Sequence, residues 1–273
     1  MDLEIVSQTA LWTAAGRAYE VSRSDRLFDD PFASALAGPE GVAWLYSDPI
    51  EAQNTNYLAI RTRFYDEWMQ AVVAHGVKQV VLLGAGMDTR AFRLAGLEGI
   101  TLWEVDRREL LELKAQRLAS VGSVPLCDRR PVAADVRDPH WLQCLKKAGF
   151  CSEQSVAWVA EGFFTYLEES TVVDVITGIA RTSPSSSLGF DVVSKDFLIS
   201  PWTTPYVSLL QRRGTPFKFA TNCPEVLLLA HGWEPEAVVE PGQTLYGRKR
   251  WKWPVMPRSF PNIPRSFLIT ARN

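Results

Sequence analysis

Lys78-Gln79-Val80-Val81-Leu82-Leu83-Gly84-Ala85-Gly86 is the stretch that decides the fold. A short apolar run closed by a glycine turn reads as a strand buried on both faces, as in a parallel sheet. Working outward, strands and helices alternate. A helix carrying Arg90, Phe92 and Leu94 leads to a strand over 100–106, and a long helix follows over 108–118. Further strands are expected at 131–135, 155–161 and 187–193, with a helix over 170–182 between the last two. That alternation predicts an α/β fold with a Rossmann-like, doubly wound, mostly parallel sheet. Upstream, residues 1–75 read as a helical N-terminal cap. An Ala-rich stretch follows Ser7, Asp29-Asp30-Pro31 starts a second helix, and 57–74 shows helical spacing. Downstream, 195–222 lacks periodicity and carries Pro201, Pro205, Gly214 and Pro216, which suits an inserted lid. Strands at 248–255 and 265–271 would form an antiparallel C-terminal hairpin on the sheet edge. The expected organisation is one domain over 1–273: cap 1–75, core 76–194, lid 195–222, and 223–273 completing the sheet.

Composition narrows the classes. A chain of 273 residues can bury roughly three quarters of its unfolded surface in one core. A net charge of −2 argues against a dedicated nucleic-acid surface. Cys127, Cys144, Cys151 and Cys223 form no C-x-x-C pair, and His75, His140 and His231 are scattered, so no metal is expected. The start, MDLEIVSQ, is polar and acidic where a secretory signal would be basic and then apolar. The longest apolar run falls far short of the ~18 residues of a membrane span. The expectation is a cytoplasmic protein with no membrane or nucleic-acid partner. The oligomeric state is unknown at this stage.

Ligands in open parallel sheets bind at the carboxyl ends of strands, where the strand order reverses. Polar residues gather there: Gly84-Ala85-Gly86, Glu104-Val105-Asp106, Asp135-Val136 and Glu161-Gly162. The first turn lacks the third glycine of a dinucleotide fingerprint, since Thr89 stands at that place, and no P-loop lysine follows. Asp106 suits a ribose diol, or alternatively caps the helix that follows. Asp135 suits an adenine amino group, or alternatively makes an Asx turn before Arg137-Asp138-Pro139.

The run Val81-Leu82-Leu83-Gly84-Ala85-Gly86-Met87-Asp88-Thr89-Arg90 resembles the cofactor loop of the leucine carboxyl methyltransferase family, in its bacterial branch. The resemblance extends to Trp103-Glu104-Val105-Asp106, Ala134-Asp135-Val136-Arg137-Asp138, Ala160-Glu161-Gly162-Phe163-Phe164-Thr165-Tyr166-Leu167 and Arg61-Thr62-Arg63. It also takes in Leu27-Phe28-Asp29-Asp30-Pro31-Phe32-Ala33 and Pro264-Arg265-Ser266-Phe267-Leu268. It implies S-adenosyl-L-methionine as cofactor, S-adenosyl-L-homocysteine as its product, and an oxygen as methyl acceptor. By position, Gly84, Ala85 and Gly86 would face the methionine part, Asp106 the ribose, and Asp135 with the Val136 backbone the adenine. Glu161 would take the cofactor's ammonium and Arg61 its carboxylate. Arg17 would stand near the same group, and Tyr166 near the transferred methyl. The alternatives are a surface helix arginine for Arg61 and a core aromatic for Tyr166.

Physical chemistry agrees with such roles. A carboxylate is best held by a bidentate guanidinium. In-line displacement depends on positioning. A carboxylate acceptor is already ionised at pH 7 and needs no base, whereas a hydroxyl benefits from one. No histidine falls in any strand-end motif, which tilts the reading towards an acidic oxygen. Phe197, Trp202, Tyr206, Phe217 and Phe219 suggest an apolar small-molecule acceptor. Two other readings stand: a catalytically silent cofactor-binding protein, and an NAD-dependent oxidoreductase.

Overall fold

The computed structural model describes residues 5–273. Residues 1–4, at the head of the expected cap, lie outside the described residues. The cap is formed by α1 (Ile5–Val21), α2 (Ala33–Tyr46), α3 (Pro49–Gln53) and α4 (Thr55–Ala74). The second of these starts two residues after Pro31 and is kinked at Gly38-Pro39, where Gly38 has φ +60.

From β1 (Gln79–Leu83) the chain alternates as expected: α5 (Arg90–Arg93), β2 (Thr101–Asp106), α6 (Arg108–Ser120), β3 (Asp128–Ala133), α7 (Trp141–Lys147), β4 (Val156–Ala160), α8 (Glu169–Ala180) and β5 (Ser187–Val193). The third strand lies earlier than the 131–135 read from sequence. It is the edge strand, which is why Pro131 fits inside it, and Asp135 sits in the turn beyond it. Residues 195–222 contain two short helices, α9 (Lys195–Ile199) and α10 (Thr204–Arg212). They are followed by α11 (Pro224–Ala230), β6 (Glu234–Val239), α12 (Gly247–Arg250) and β7 (Ser266–Arg272).

The seven strands are ordered β3-β2-β1-β4-β5-β7-β6. The first five are parallel, and β7 runs antiparallel between β5 and β6. The antiparallel C-terminal pair therefore exists, but its first strand is 234–239 and not 248–255. Nor is the last strand at the edge. It lies inside the sheet, with six of its seven residues buried. Trp251, read as part of a strand, instead packs its ring on Tyr57, centroids 6.3 Å apart.

Strand alternation splits the core into two layers. Val81, Leu83, Trp103, Val105 and Trp158 face a cluster on the α7 and α8 side. Val80, Leu82, Leu102, Ala157 and Val159 face the cap, α5 and α6. Because β1 is flanked by β2 on one side and β4 on the other, the strand order reverses beside it: α5, leading to β2, packs on one face, and α7, leading to β4, on the other. A crevice must open above the carboxyl ends of β1 and β4.

Candidate active site

A single cavity of about 970 Å³ occupies that crevice. Every residue read from sequence as a cofactor or methyl-transfer candidate borders it: Arg17, Arg61, Gly84, Ala85, Gly86, Asp106, Asp135, Val136, Glu161 and Tyr166.

The glycine turn needs glycine for two reasons. Gly84 and Gly86 have φ +62 and +44, and a Cβ on Gly84 would stand 2.2 Å from the Phe163 ring. Asp106 braces this turn rather than capping a helix. Its Oδ2 accepts from the Gly86 amide at 2.7 Å and its Oδ1 from Arg107 N at 2.7 Å. Burial raises its pKa, partly offset by those two amides. Two residues earlier on the same face, Glu104 is fully buried against Lys114 (2.8 Å) and Arg129 (2.6 Å), so it braces the sheet.

Asp135 makes the Asx turn weighed as its alternative. It accepts from Arg137 N at 2.9 Å and pairs with the Arg137 guanidinium at 2.5 Å, whose hydrogen bonds hold its carboxyl below the ordinary range. The same side chain borders the cavity.

On the other side of the crevice, Glu161 accepts from Arg61 Nε at 2.9 Å and from Arg90 Nη2 at 2.6 Å. Burial raises its pKa, but the charges of Arg90 and then Arg61 outweigh it, and the net direction is down. Arg61 is 8% exposed, and its Nη1 donates to Asp191 at 3.1 Å. Arg63, two positions on and a different face of the helix, is the surface residue. It pairs with Glu67 at 2.7 Å. Arg17 ties the cap to the glycine turn: Nε donates to Asp30 at 2.8 Å and Nη2 to the Met87 carbonyl at 2.5 Å. Tyr166 lies edge-on to Phe217, 5.5 Å between centroids, at the aromatic end of the cavity with Phe197, Trp202 and Tyr206. Phe219, grouped with these from sequence, is instead 1% exposed in the core and does not border the cavity.

Several residues that organise the site escaped the sequence reading. Arg90 is 2% exposed and bonds Asp66 (2.7 Å), Asp88 and Glu161. Arg93 reaches Asp66 at 2.7 Å and Asp30 at 3.7 Å. A continuous ladder of alternating charge thus runs from Asp30 through Arg93, Asp66, Arg90, Glu161 and Arg61 to Asp191. The signal was available: Asp88-Thr89-Arg90 places charges directly after a buried strand, where burial demands pairing.

Asp88 makes the ladder measurable in acid. Burial pushes its carboxyl up, but Arg90, Lys114 and Arg93 pull it from 3.8 down to about 2. A depressed carboxylate stabilises above its unfolded pKa, and the contribution is lost as pH falls through the folded one, so the window is roughly pH 4 to 2. The difference is worth about 2 kcal/mol. Denaturant melts across that window should lose about this much more stability in the wild type than in Asp88→Asn. Parallel curves for the two would remove Asp88 from the account.

The leucine carboxyl methyltransferase family model matches residues 10–180, from α1 to the end of α8. A protein of Mycolicibacterium smegmatis is 33% identical over 271 residues, covering 91% of this chain and 89% of its own. The chain belongs to the leucine carboxyl methyltransferase family. The M. smegmatis protein carries the provisional name S-adenosyl-L-methionine-dependent methyltransferase. A Mycobacterium tuberculosis protein of the same provisional name is 38% identical over 186 residues. That match covers 64% of this chain and 61% of the relative's length. Among solved structures, a provisionally named methyltransferase from Thermobifida fusca superposes with a TM-score of 0.61 at 18% identity, over 95% of this chain and 93% of that one. A Streptomyces avermitilis protein gives 0.58 at 17%, over 95% and 96%. At such identities the likeness is one of fold alone. No helix among the described residues is long and apolar enough to cross a membrane. No cluster of His, Cys, Asp and Glu there could hold a metal.

Proposed function

We propose that the chain is an S-adenosyl-L-methionine-dependent O-methyltransferase acting on an acidic oxygen of an apolar small molecule. The observation that carries this is the Arg61–Glu161 pair at one cavity wall, beside a glycine turn braced by Asp106. Cation and anion adjacent at 2.9 Å complement a ligand bearing both a carboxylate and an ammonium. The turn leaves room that a Cβ on Gly84 would fill. When bound, the cofactor supplies a methyl group on a sulfonium.

The chain's own residues do the rest. Arg61, with Arg17 nearby, holds the carboxylate, and Glu161 the ammonium. Asp106 accepts from the ribose. Asp135 and the Val136 backbone meet the adenine. Tyr166 and Phe217 wall the methyl-transfer end. The aromatic side chains of 195–222 enclose an apolar acceptor and exclude water. A hydroxyl acceptor would want a base close to Gly162. The carboxylate there, Asp191, is already held by Arg61, and Tyr57 beside it is a phenol whose pKa burial and the Asp191 charge push well above 10. That favours an acceptor already ionised at neutral pH.

Calorimetry tests the reading. S-adenosyl-L-homocysteine should bind and NAD should not. Arg61→Lys should weaken binding by about tenfold, because an ammonium loses the two-pronged geometry, while Arg63→Lys changes it less than twofold. NAD bound in preference, or a larger effect at Arg63, would overturn the assignment.

A further inference from the structure

Asp191 sits on β5, an interior strand, paired in register with Leu268 of β7. Its side chain is 4% exposed, yet it borders the cavity. A buried carboxylate is costly unless it is paired. This one takes three donors, none from its own strand. The Tyr57 hydroxyl donates at 2.8 Å and Arg61 Nη1 at 3.1 Å, both from α4, and the Gly162 amide donates at 2.5 Å from the turn after β4. Two of the three carry the proposed chemistry directly, or adjoin a residue that does. Arg61 is the expected carboxylate clamp, and Gly162 follows Glu161.

The glycine at 162 keeps the arrangement tight. Its φ is +62, and a Cβ there would meet the Arg61 guanidinium at 2.8–3.1 Å. Arg61 lies between two anions. Glu161 Oε1 takes Nε and Asp191 takes Nη1, while Nη2 has no hydrogen-bond partner among the described residues. Glu161 has a second cation, Arg90, on its other oxygen. If Glu161 turns one oxygen to a ligand ammonium, Arg61 needs another counter-charge to stay where it is. Asp191 is that counter-charge. With about four acceptor sites and three filled, one of them by a cation, it is suited to hold groups in place.

We infer that Asp191 is a positioning residue of the methyl-transfer site, its single carboxylate fixing Arg61, Tyr57 and the Gly162 amide so that Glu161 can share itself with a ligand's ammonium. The inference rests on the cofactor reading given above. It extends that reading to a residue on a strand outside the cofactor motifs.

Two ligands separate positioning from general stability. S-adenosyl-L-homocysteine carries the amino-acid group, and 5′-methylthioadenosine has the same nucleoside and sulfur without it. Calorimetry on the full chain, with thermal melting alongside, would compare wild type, Asp191→Asn and Tyr57→Phe. Asp191→Asn should weaken S-adenosyl-L-homocysteine at least tenfold and leave 5′-methylthioadenosine within twofold. Tyr57→Phe, which removes one donor and no charge, should weaken the first ligand about threefold and spare the second. Equal losses for both ligands would make Asp191 a merely structural residue and overturn the inference. So would an unchanged or tighter affinity for S-adenosyl-L-homocysteine. If Asp191→Asn does not fold, Tyr57→Phe decides, and an unchanged affinity there overturns it. A wild type that binds neither ligand removes the cofactor reading and this inference together, an outcome distinct from the others.

Discussion

Arg90→Met should lower stability by about 3–5 kcal/mol, the range for removing one partner of a buried ion pair. The site is unusually exposed to this loss, because one guanidinium serves three carboxylates. Nε donates to Asp66 at 2.7 Å, Nη1 to Asp88, and Nη2 to Glu161 at 2.6 Å and to the Thr62 carbonyl at 3.3 Å. Methionine fills similar volume but leaves three carboxylates around an apolar side chain. Asp88 and Glu161, both held down by the Arg90 charge in the wild type, would rise, so the loss should be larger at pH 8 than at pH 5. A fall in melting temperature on the order of 10 °C is expected for a chain of this size. A variant melting within about 2 °C of wild type at pH 8 would mean that the ladder is not organised around Arg90. Arg90→Lys should fall between the two, since an ammonium keeps the charge and loses the fork.

Gly84→Ala should abolish measurable binding of S-adenosyl-L-homocysteine, a loss of about a hundredfold or more. A left-handed backbone costs an alanine roughly 1–2 kcal/mol by itself. The new methyl would also meet the Phe163 ring at 2.2 Å, and that ring is packed against Phe164, centroids 6.0 Å apart. Relief would have to come from moving the turn, and with it the Gly86 amide that Asp106 holds. Gly86→Ala is the internal comparison. Its nearest neighbour would be the Ala10 Cβ at 3.1 Å, a side-chain contact on a cap helix that can give by a few tenths of an ångström. It should therefore cost less. Calorimetry on both variants settles the order, and equal effects would point to the backbone angle alone.

Strands β1, β2, β4 and β5 were legible because parallel strands buried on both faces are short continuous apolar runs. The edge strand β3 was misplaced because Asp128, Arg129 and Arg130 look like a polar loop, and an edge strand has a solvent side that admits them. β6 was passed over for similar reasons, since its start is Glu-Pro-Glu. Residues 248–255 imitated a strand because Trp251, Trp253 and Val255 alternate with Lys252 and Pro254. Their packing around Tyr57 and Gly242, not a ladder, accounts for the pattern.

The sequence by itself determined the layer architecture, the gathering of polar residues at the carboxyl ends of the strands, the family, and the identity of the strand-end carboxylates. Those properties rest on hydrophobic period and on short motifs, and both are local. It could not determine which charges meet. Asp191 lies 130 residues from Arg61 and 29 from Gly162, and Arg90 lies 71 from Glu161. Such pairs are brought together only when β4 and β5 take their places beside β1 and α4 packs across them. Local propensity carries no record of that event. The tertiary structure alone decided that Arg61 is buried between Glu161 and Asp191 and that Arg63 is a surface residue, because in a helix two positions apart is a different face, and only the packed sheet says which face is inside.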